Sequence, residues 1–265
     1  MKEAVVPLAR QVLGPLGLDV EPAQEHTFEE LVEAYRARLD PTRPDPVHIN
    51  CMMTMAECRA AMLAVGEAGL GAPWVSWACD EDGESATRVE MLAALFVAEG
   101  MGAAAFGLNC RRALAEELLA GLAPYAHIPL FYTWDGALTL WPYTPQPRDP
   151  DVIPCASPTA PCFLTRTVDV GEELECTPDL LEDIIEAEDD PVGAVKIAIL
   201  ERDDVDIFAQ HQYAIRKALC LWSDVPQLLE GALRVYQGRA FYDGTGALEP
   251  EELDRLSRKY GLIVL

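Results

Sequence analysis

Short runs of β-branched, aromatic and other apolar residues alternate along most of the chain with longer amphipathic stretches. Apolar runs of this length predict buried strands, and apolar positions repeating every three to four residues predict helices. Strands that alternate with helices are typical of βαβ units, which build parallel sheets. Eight strands are predicted, over residues 47–52, 74–79, 103–110, 128–134, 194–200, 218–223, 239–243 and 262–265.

Signals for the start of a helix lie between these predicted strands. Thr27 with Glu30, and Thr54 with Glu57, have the spacing of a capping box, in which side chain and backbone satisfy each other at a helix start. Pro250 is the first residue of a predicted helix, a position whose N–H has no partner within the helix, so that proline is favoured there. The predicted helices cover residues 27–39, 55–68, 225–237 and 250–260.

Eight parallel strands with interleaved helices indicate an α/β fold of the (β/α)8 or TIM-like barrel type. The alternation fails in the middle of the chain, where seven prolines occur between residues 142 and 161. We therefore expect two half-barrels, 1–140 and 169–265, joined by a proline-rich linker over 141–168. Four parallel strands with helices on one side leave the other sheet face bare, so the halves should share one joint core. The alternative is closure across a homodimer.

The charge of the chain narrows the choice of partners. Asp and Glu number 44 against 20 Lys and Arg, a formal net charge of −24. Such a surface repels nucleic-acid phosphates and anionic membranes, so neither is expected as a partner. The first residues lack the apolar segment of a secretory signal, and we expect a cytoplasmic protein.

The eight cysteines are expected to be reduced thiols in that compartment. None forms a Cys-x-x-Cys pair, so a zinc ribbon or finger is excluded, and any metal site must be assembled from distant strands. The two interpretations are small buried apolar side chains and metal ligands. Three cysteines, Cys51, Cys79 and Cys110, lie at the ends of three successive predicted strands.

In α/β barrels the chemistry lies at the carboxyl ends of the strands, because the loops there converge on one mouth. A small-molecule pocket is therefore predicted at these ends. Its predicted lining is Cys51, Cys79, Asp80, Asn109, Cys110, Asp135, Trp222 and Asp243. No catalytic residue is assigned. Asp80, Asn109, Asp135, Trp222 and Asp243 are the candidate substrate-binding residues, and the cysteines are the candidate metal ligands.

Several segments between residues 27 and 136 carry a resemblance to a known family. They are the helix from Thr27 to Tyr35, the helix from Ala56 to Met62, the segment from Val75 to Gly83, the Gly-Leu-Asn-Cys strand end at Cys110, and the segment from Ile128 to Tyr132. These segments resemble the later part of the homocysteine S-methyltransferase barrel. The remaining chain, from about Val170, is similar to the front of the pterin-binding barrel of cobalamin-dependent methionine synthase.

The first resemblance implies a zinc ion held by protein thiolates, which activates the thiol of homocysteine. Cys110 matches the first zinc ligand of the family. Its partners would be Cys155 and Cys162, or Cys51 and Cys79, because the paired cysteines of the family have no counterpart here. Asn50 stands where the family has an acidic residue, and in the pterin-like half Trp222 and Asp243 replace Asp and Asn.

Two hypotheses follow from the resemblance. In the first, the protein is a homocysteine methyltransferase-like enzyme of methionine and one-carbon metabolism, whose small-molecule thiol receives a methyl group from a corrinoid or folate donor carried by a partner protein. In the second, the chain is a catalytically inactive binding or accessory subunit of such a methyltransferase. Zinc content would distinguish the two.

Overall fold

The computed structural model describes residues 11–17, 27–43, 46–145, 147 and 149–265. The chain folds as a mixed α/β protein with parallel sheets. It divides into two compact units, Met1–Met91 with Gly102–Pro147, and Leu92–Met101 with Arg148–Leu265. None of the helices in the described ranges is long and apolar enough to cross a membrane.

The sheet of the first unit contains six strands, which lie side by side in chain order. They are β1 (Gln11–Leu13), β2 (Val47–Met52), β3 (Trp74–Ala78), β4 (Ala105–Asn109), β5 (Leu130–Trp134) and β6 (Ala137–Trp141). The first five strands are parallel and β6 is antiparallel to β5. The carboxyl ends of β1 to β5 therefore meet at one edge of the sheet.

The helices of this half of the chain are α1 (Phe28–Arg36), α2 (Met55–Glu67), α3 (Met91–Gly100) and α4 (Arg112–Leu122). Two of the four, α1 and α2, begin where the capping signals predict. Thr27 and Glu30 form the complete capping box of α1, and the Thr54 hydroxyl accepts a hydrogen bond from the Glu57 N–H at the start of α2. All of α3 after Met91 belongs to the second unit.

A tight turn joins β5 to β6, directly after the last strand predicted in the first half of the chain. Asp135 and Gly136 are its two central residues, and both have a positive φ, 49° and 74°. This is the conformation of a type I′ hairpin turn, which Asp-Gly favours because glycine adopts it without steric cost. The turn places Asp135 directly beyond the carboxyl end of β5.

The second unit contains an antiparallel hairpin of β7 (Ile153–Ala156) and β8 (Pro161–Leu164). Cys155 lies opposite Cys162 in this hairpin. Alternate residues of an antiparallel pair direct their N–H away from the partner strand, and Pro154 and Pro161 occupy such positions. The prolines are therefore compatible with a hairpin in a stretch predicted to be a linker.

The sheet of the second unit has five parallel strands in the order β13-β12-β11-β10-β9. They are β9 (Val170–Glu175), β10 (Ala194–Ala198), β11 (Ala218–Trp222), β12 (Phe241–Tyr242) and β13 (Ile263–Val264), with helices α5 (Leu180–Asp189), α6 (Asp204–His211), α7 (Pro226–Val235) and α8 (Pro250–Tyr260). The hairpin covers one face of this sheet, where Cys155 and Leu164 pack with Ala194, Ala218, Cys220, Phe241 and Ile263.

All eight predicted strands are present and parallel to a neighbour, with ends that differ by at most two residues. The pattern missed β1, β6, β7, β8 and β9, which are short, antiparallel or rich in proline and acidic residues. The described strands form separate sheets and no single closed sheet. Closure into a joint barrel, and the domain boundaries at 140 and 169, stay predictions.

Candidate functional site

A cavity of about 430 Å³ opens at the carboxyl edge of the first sheet. Its polar lining comes from β2, β4, β5 and the turn after β5, and its apolar lining comes from β1 and β6. The lining residues are Val12, His48, Asn50, Asn109, Thr133, Trp134, Asp135, Gly136 and Leu138. Because parallel strands end at this edge, four separate strand ends contribute side chains to one concave surface.

Two side-chain amides organise the polar side of the cavity. Asn109 donates a hydrogen bond from Nδ2 to Oδ1 of Asn50, at 2.9 Å, and another to the hydroxyl of Thr133. Its Oδ1 accepts a hydrogen bond from the backbone N–H of Cys51, at 3.1 Å. Asn109 therefore connects the ends of β2, β4 and β5, and its amide is fully occupied by the protein.

Ser76 extends this network from β3. Its hydroxyl donates to Oδ1 of Asn50 at 3.1 Å, an oxygen that can only accept. Since that bond uses the one hydroxyl hydrogen, the contact of 2.9 Å between Ser76 Oγ and His48 Nε2 must have the imidazole as donor. Burial lowers the pKa of His48 to about 4, so the ring is neutral near pH 7 with its hydrogen on Nε2.

The network leaves two hydrogen-bond donors available at the cavity surface. In the described part of the chain, the side-chain hydrogen bonds of Asn50 all use its Oδ1, so its Nδ2 has hydrogens to donate. Thr133 accepts from Asn109 and keeps its own hydroxyl hydrogen. A ligand acceptor next to Asn50 and Thr133, such as a carboxylate or a carbonyl, can therefore receive a hydrogen bond from each of them.

In contrast to these two donors, Asp135 places a negatively charged hydrogen-bond acceptor at the rim of the cavity. Its carboxylate lies on the turn after β5 and is exposed to solvent. Trp134, which is 55% exposed, stands next to it, and Val12 and Leu138 give the cavity an apolar wall. The cavity thus combines two donors, one carboxylate and an apolar surface.

Cys51 has a strained backbone at the end of β2. Its φ is 61°, a left-handed value that a non-glycine residue rarely adopts, and the pairing register of β2 with β3 shifts between Ile49 and Met52. The hydrogen bonds from the Cys51 N–H to Asn109 and Ser76 hold this conformation. Strain of this kind concentrates at functional sites. Burial raises the pKa of the Cys51 thiol.

Cys79 and Cys110 form a thiol pair at the ends of β3 and β4. Their hydrogen bond raises the pKa of Cys79, with burial as the second cause, and lowers the pKa of Cys110. The Cys79 thiol also lies 3.7 Å from the thioether sulfur of Met91. Cys110 is the residue after Asn109, so this sulfur cluster and the amide network share one strand end.

A comparison with protein families finds a match over residues 4–143, which is more than half of the chain, to the family described as homocysteine S-methyltransferase. The chain belongs to the homocysteine S-methyltransferase family. The matched residues include the whole amide network and the cavity. No curated protein matches the chain. The similarity of the later residues to a pterin-binding barrel is not supported by this match and stays a prediction.

Homocysteine S-methyltransferases are expected to hold zinc through three thiolates, and the arrangement of the described residues does not fit that set. No group of three His, Cys, Asp or Glu side chains within the described ranges is placed to hold a metal ion. Cys110 has Cys79 beside it, whereas Cys155 and Cys162 face each other in the hairpin of the second unit. We therefore derive no chemical step through zinc.

The predicted site residues are distributed over the two units of this homocysteine S-methyltransferase relative. Asn109 and Asp135 line the cavity, and Cys51, Cys79 and Cys110 are next to it in the chain or on neighbouring strand ends. Asp80 instead accepts hydrogen bonds from the N–H groups of Asp82 and Glu84, and so stabilises its own loop.

Trp222 and Asp243 lie in the second unit. Asp243 forms an ion pair with Lys196 at 3.1 Å, and Glu173 pairs with the same ammonium group at 3.2 Å. The Lys196 ammonium also lies 5.4 Å from the centre of the Trp222 ring. Although burial opposes it, hydrogen bonds from Thr245 and the contact with Lys196 lower the pKa of Asp243. These two residues thus belong to a charge cluster around Lys196.

His48, Ser76 and Thr133 are site residues that the strand-end argument missed. His48 lies near the amino end of β2, away from the strand ends, yet it lines the cavity together with Asn50. The signal was available, because residues 48 and 50 alternate on β2 and must point to the same face. Ser76 and Thr133 are single polar residues within apolar strands, and a buried polar residue requires a partner.

Proposed function

We propose that the first unit binds a small α-amino acid thiol of the homocysteine class and presents it as a methyl acceptor. Membership of the homocysteine S-methyltransferase family supports a methyltransferase-like function. The observation that carries the proposal is the donor pair formed by Asn50 Nδ2 and the Thr133 hydroxyl, which is complementary to a carboxylate.

The remaining groups of the cavity suit the other end of such a molecule. Asp135 provides a carboxylate for the ammonium group of an amino acid, and the apolar surface of Val12 and Leu138 suits its methylene groups. The neutral imidazole of His48 adds no charge that would repel the ammonium. The methyl group would come from a corrinoid or folate donor carried by a partner protein.

Isothermal titration of the reduced protein with L-homocysteine tests this proposal. We expect binding, and we expect Asp135→Asn to weaken it about tenfold, or about 1.4 kcal/mol, because the contact with the ammonium loses its charge. Glu81→Gln is the matched control, since Glu81 is an exposed acidic residue that does not line the cavity. The absence of binding to the parent protein would overturn the proposal.

The second candidate function is that of an accessory subunit that binds the thiol without activating it. The observation in its favour is that, within the described ranges, no three metal-ligating side chains of the His, Cys, Asp and Glu types come together. Incubation with L-homocysteine, methylcobalamin and zinc separates the candidates. Methionine formation supports the enzyme, and homocysteine binding without methionine formation supports the accessory subunit.

A further inference from the structure

Two cysteines lie directly opposite each other in the hairpin of the second unit, and the proposed function makes no use of them. Cys155 on β7 and Cys162 on β8 are partners in the register of this antiparallel pair. Both side chains pack against the same apolar cluster, in which Cys155 is a buried member and Cys162 a partly buried neighbour. The two thiols therefore lie on the same face of the hairpin.

The separation of the two strands suits a bond between these thiols. Pro154 and Pro161 occupy positions whose N–H is directed away from the partner strand, so the Cys155–Cys162 pair next to them is a hydrogen-bonded pair. The Cα atoms of such a pair lie about 5.5 Å apart. A disulfide joins residues whose Cα atoms are about 4.4–6.8 Å apart. The strands therefore need no displacement for the bond to form.

The turn of the hairpin and a neighbouring strand end fix this register. The Ser157 N–H donates to the Ala160 carbonyl at 2.9 Å, and the Ser157 hydroxyl oxygen accepts from the Ala160 N–H at 3.0 Å. On the other side of β7, Ala156 and Arg239 exchange backbone hydrogen bonds of 3.3 and 2.8 Å. Because a slip of one residue would turn one cysteine to the opposite face, these bonds keep the thiols paired.

The two thiols differ in their access to solvent. Cys155 is buried, whereas Cys162 is partly exposed and donates a hydrogen bond from its thiol to the Arg216 carbonyl at 3.6 Å. The hydrogen bond with Cys162 raises the pKa of Cys155, and burial is the second cause. A reagent in solution therefore meets Cys162 first, and Cys155 is placed to react in a second step.

We propose that Cys155 and Cys162 form a reversible disulfide by exchange with a small-molecule disulfide such as oxidised glutathione. The Cys162 thiolate attacks one sulfur of the reagent, whose S–S bond breaks and releases one glutathione thiolate. Cys155 then gives its proton to water, attacks the Cys162 sulfur and releases the second glutathione thiolate. Two protein thiols are oxidised, and one reagent disulfide is reduced to two thiols. The site is independent of the proposed homocysteine binding, because it uses no residue of the cavity.

Peptide mapping after equilibration with reduced and oxidised glutathione tests the site in the full-length protein. Trypsin cleaves after Arg148 and Arg166, and the peptide 149–166 contains both cysteines and no other. After oxidation and quenching with iodoacetamide, we expect this peptide without alkylation and lighter by two hydrogen atoms. Reduction with dithiothreitol before alkylation should give the doubly alkylated peptide.

Equilibration in concentrated urea provides the control for the contribution of the fold. Because the folded hairpin holds the two thiols opposite each other, the equilibrium constant for closing the disulfide should be at least about tenfold higher in the folded protein than in urea. Equal constants under the two conditions would overturn the proposal. So would a peptide 149–166 from the parent protein that stays reduced at the most oxidising glutathione ratio.

Single variants test the order of the two steps. Cys155→Ala should accumulate one glutathione on Cys162, because the second thiol is missing, whereas Cys162→Ala should leave the buried Cys155 unmodified. Cys58 is the matched control, since it is buried and should stay reduced in every folded sample. A parent protein that carries glutathione on Cys162 in place of the internal disulfide would contradict the proposal. Homocysteine binding is measured on the reduced protein, so its failure is distinguishable.

Discussion

Asn109 donates a hydrogen bond to Asn50 across 2.9 Å, and this contact determines which way both amides face. Because Asn50 also accepts from Ser76, its oxygen is directed into the protein and its nitrogen toward the cavity. The recognition properties of the cavity therefore follow from one amide pair on β2 and β4.

Converting each amide to an acid should destabilise the protein to different extents. Asn109→Asp removes the donor and sets a carboxylate oxygen against Oδ1 of Asn50, so we expect a loss of about 2 kcal/mol of stability. Asn50→Asp keeps the bonds accepted from Ser76 and Asn109, and should cost about 1 kcal/mol or less. Urea unfolding at pH 7 measures both. Equal losses for the two variants would show that the orientation of the amides is wrong.

The pKa of His48 predicts a dependence of stability on pH. The ring is neutral in the folded protein down to about pH 4, whereas an exposed histidine in the unfolded chain takes up a proton near 6.5. Stability is therefore complete above pH 6.5 and falls as the pH drops to 4, by at most about 3 kcal/mol.

His48→Gln tests this prediction, because glutamine can donate to Ser76 but does not titrate. Urea unfolding from pH 7 to pH 4 should show a weaker pH dependence in the variant than in the parent protein. Identical pH profiles would contradict the buried, neutral state of His48.

The close packing of Gly107 against Phe131 predicts a large effect of a small substitution. A Cβ atom at Gly107 would lie 2.5 Å from the ring of Phe131, which also packs against Trp74 and His48. Gly107→Ala should therefore destabilise the protein by about 2 kcal/mol. Gly121→Ala, on α4 where a Cβ meets no atom within 4 Å, should stabilise it by about 0.5–1 kcal/mol. Thermal unfolding of both variants checks the sign of each change.

In the second unit, Glu230 accepts hydrogen bonds from Arg255, Lys259 and Tyr260. The bond from Arg255 is the main cause that lowers the pKa of Glu230 to about 2. The ionised Glu230 carboxylate therefore contributes fully to stability above pH 4.5, and this contribution is lost as the pH falls toward 2. Glu230→Gln should cost about 1 kcal/mol at pH 7, because the group is partly exposed.

The difference between Glu230→Gln and the parent protein should disappear near pH 2. Glu116→Gln, which breaks an exposed pair with Arg112 on α4, is the control and should cost less. A larger loss for Glu116→Gln would contradict this account of the cluster.

The parallel strands could be predicted because their runs of apolar residues follow from burial of both faces. The capping boxes at Thr27 and Thr54 could be predicted for a local reason, since cap and partner are three residues apart. The hairpin of β7 and β8 could not be predicted, because a high proline content suggests irregular structure. Proline fits a hairpin only at positions whose N–H is directed away from the partner strand, and the sequence does not show which positions those are.

The site was only partly predictable for a related reason. Asn109 and Asp135 follow from the position of strand ends, but the direction of hydrogen bonds through Ser76 to His48 depends on contacts between three strands. Trp222 and Asp243 lie at the carboxyl ends of strands in the second sheet. The strand-end rule alone could not distinguish them from the residues at the strand ends of the first sheet.

The central claim is that the cavity receives a carboxylate at Asn50 and Thr133. Calorimetric titration of the parent protein and Thr133→Val, each with L-homocysteine and with 3-aminopropane-1-thiol, tests it directly, because the second ligand lacks only the carboxylate. The account predicts that Thr133→Val weakens homocysteine binding about tenfold, about 1.4 kcal/mol, and leaves aminothiol binding unchanged. Equal losses for both ligands, or no loss for homocysteine, would contradict it.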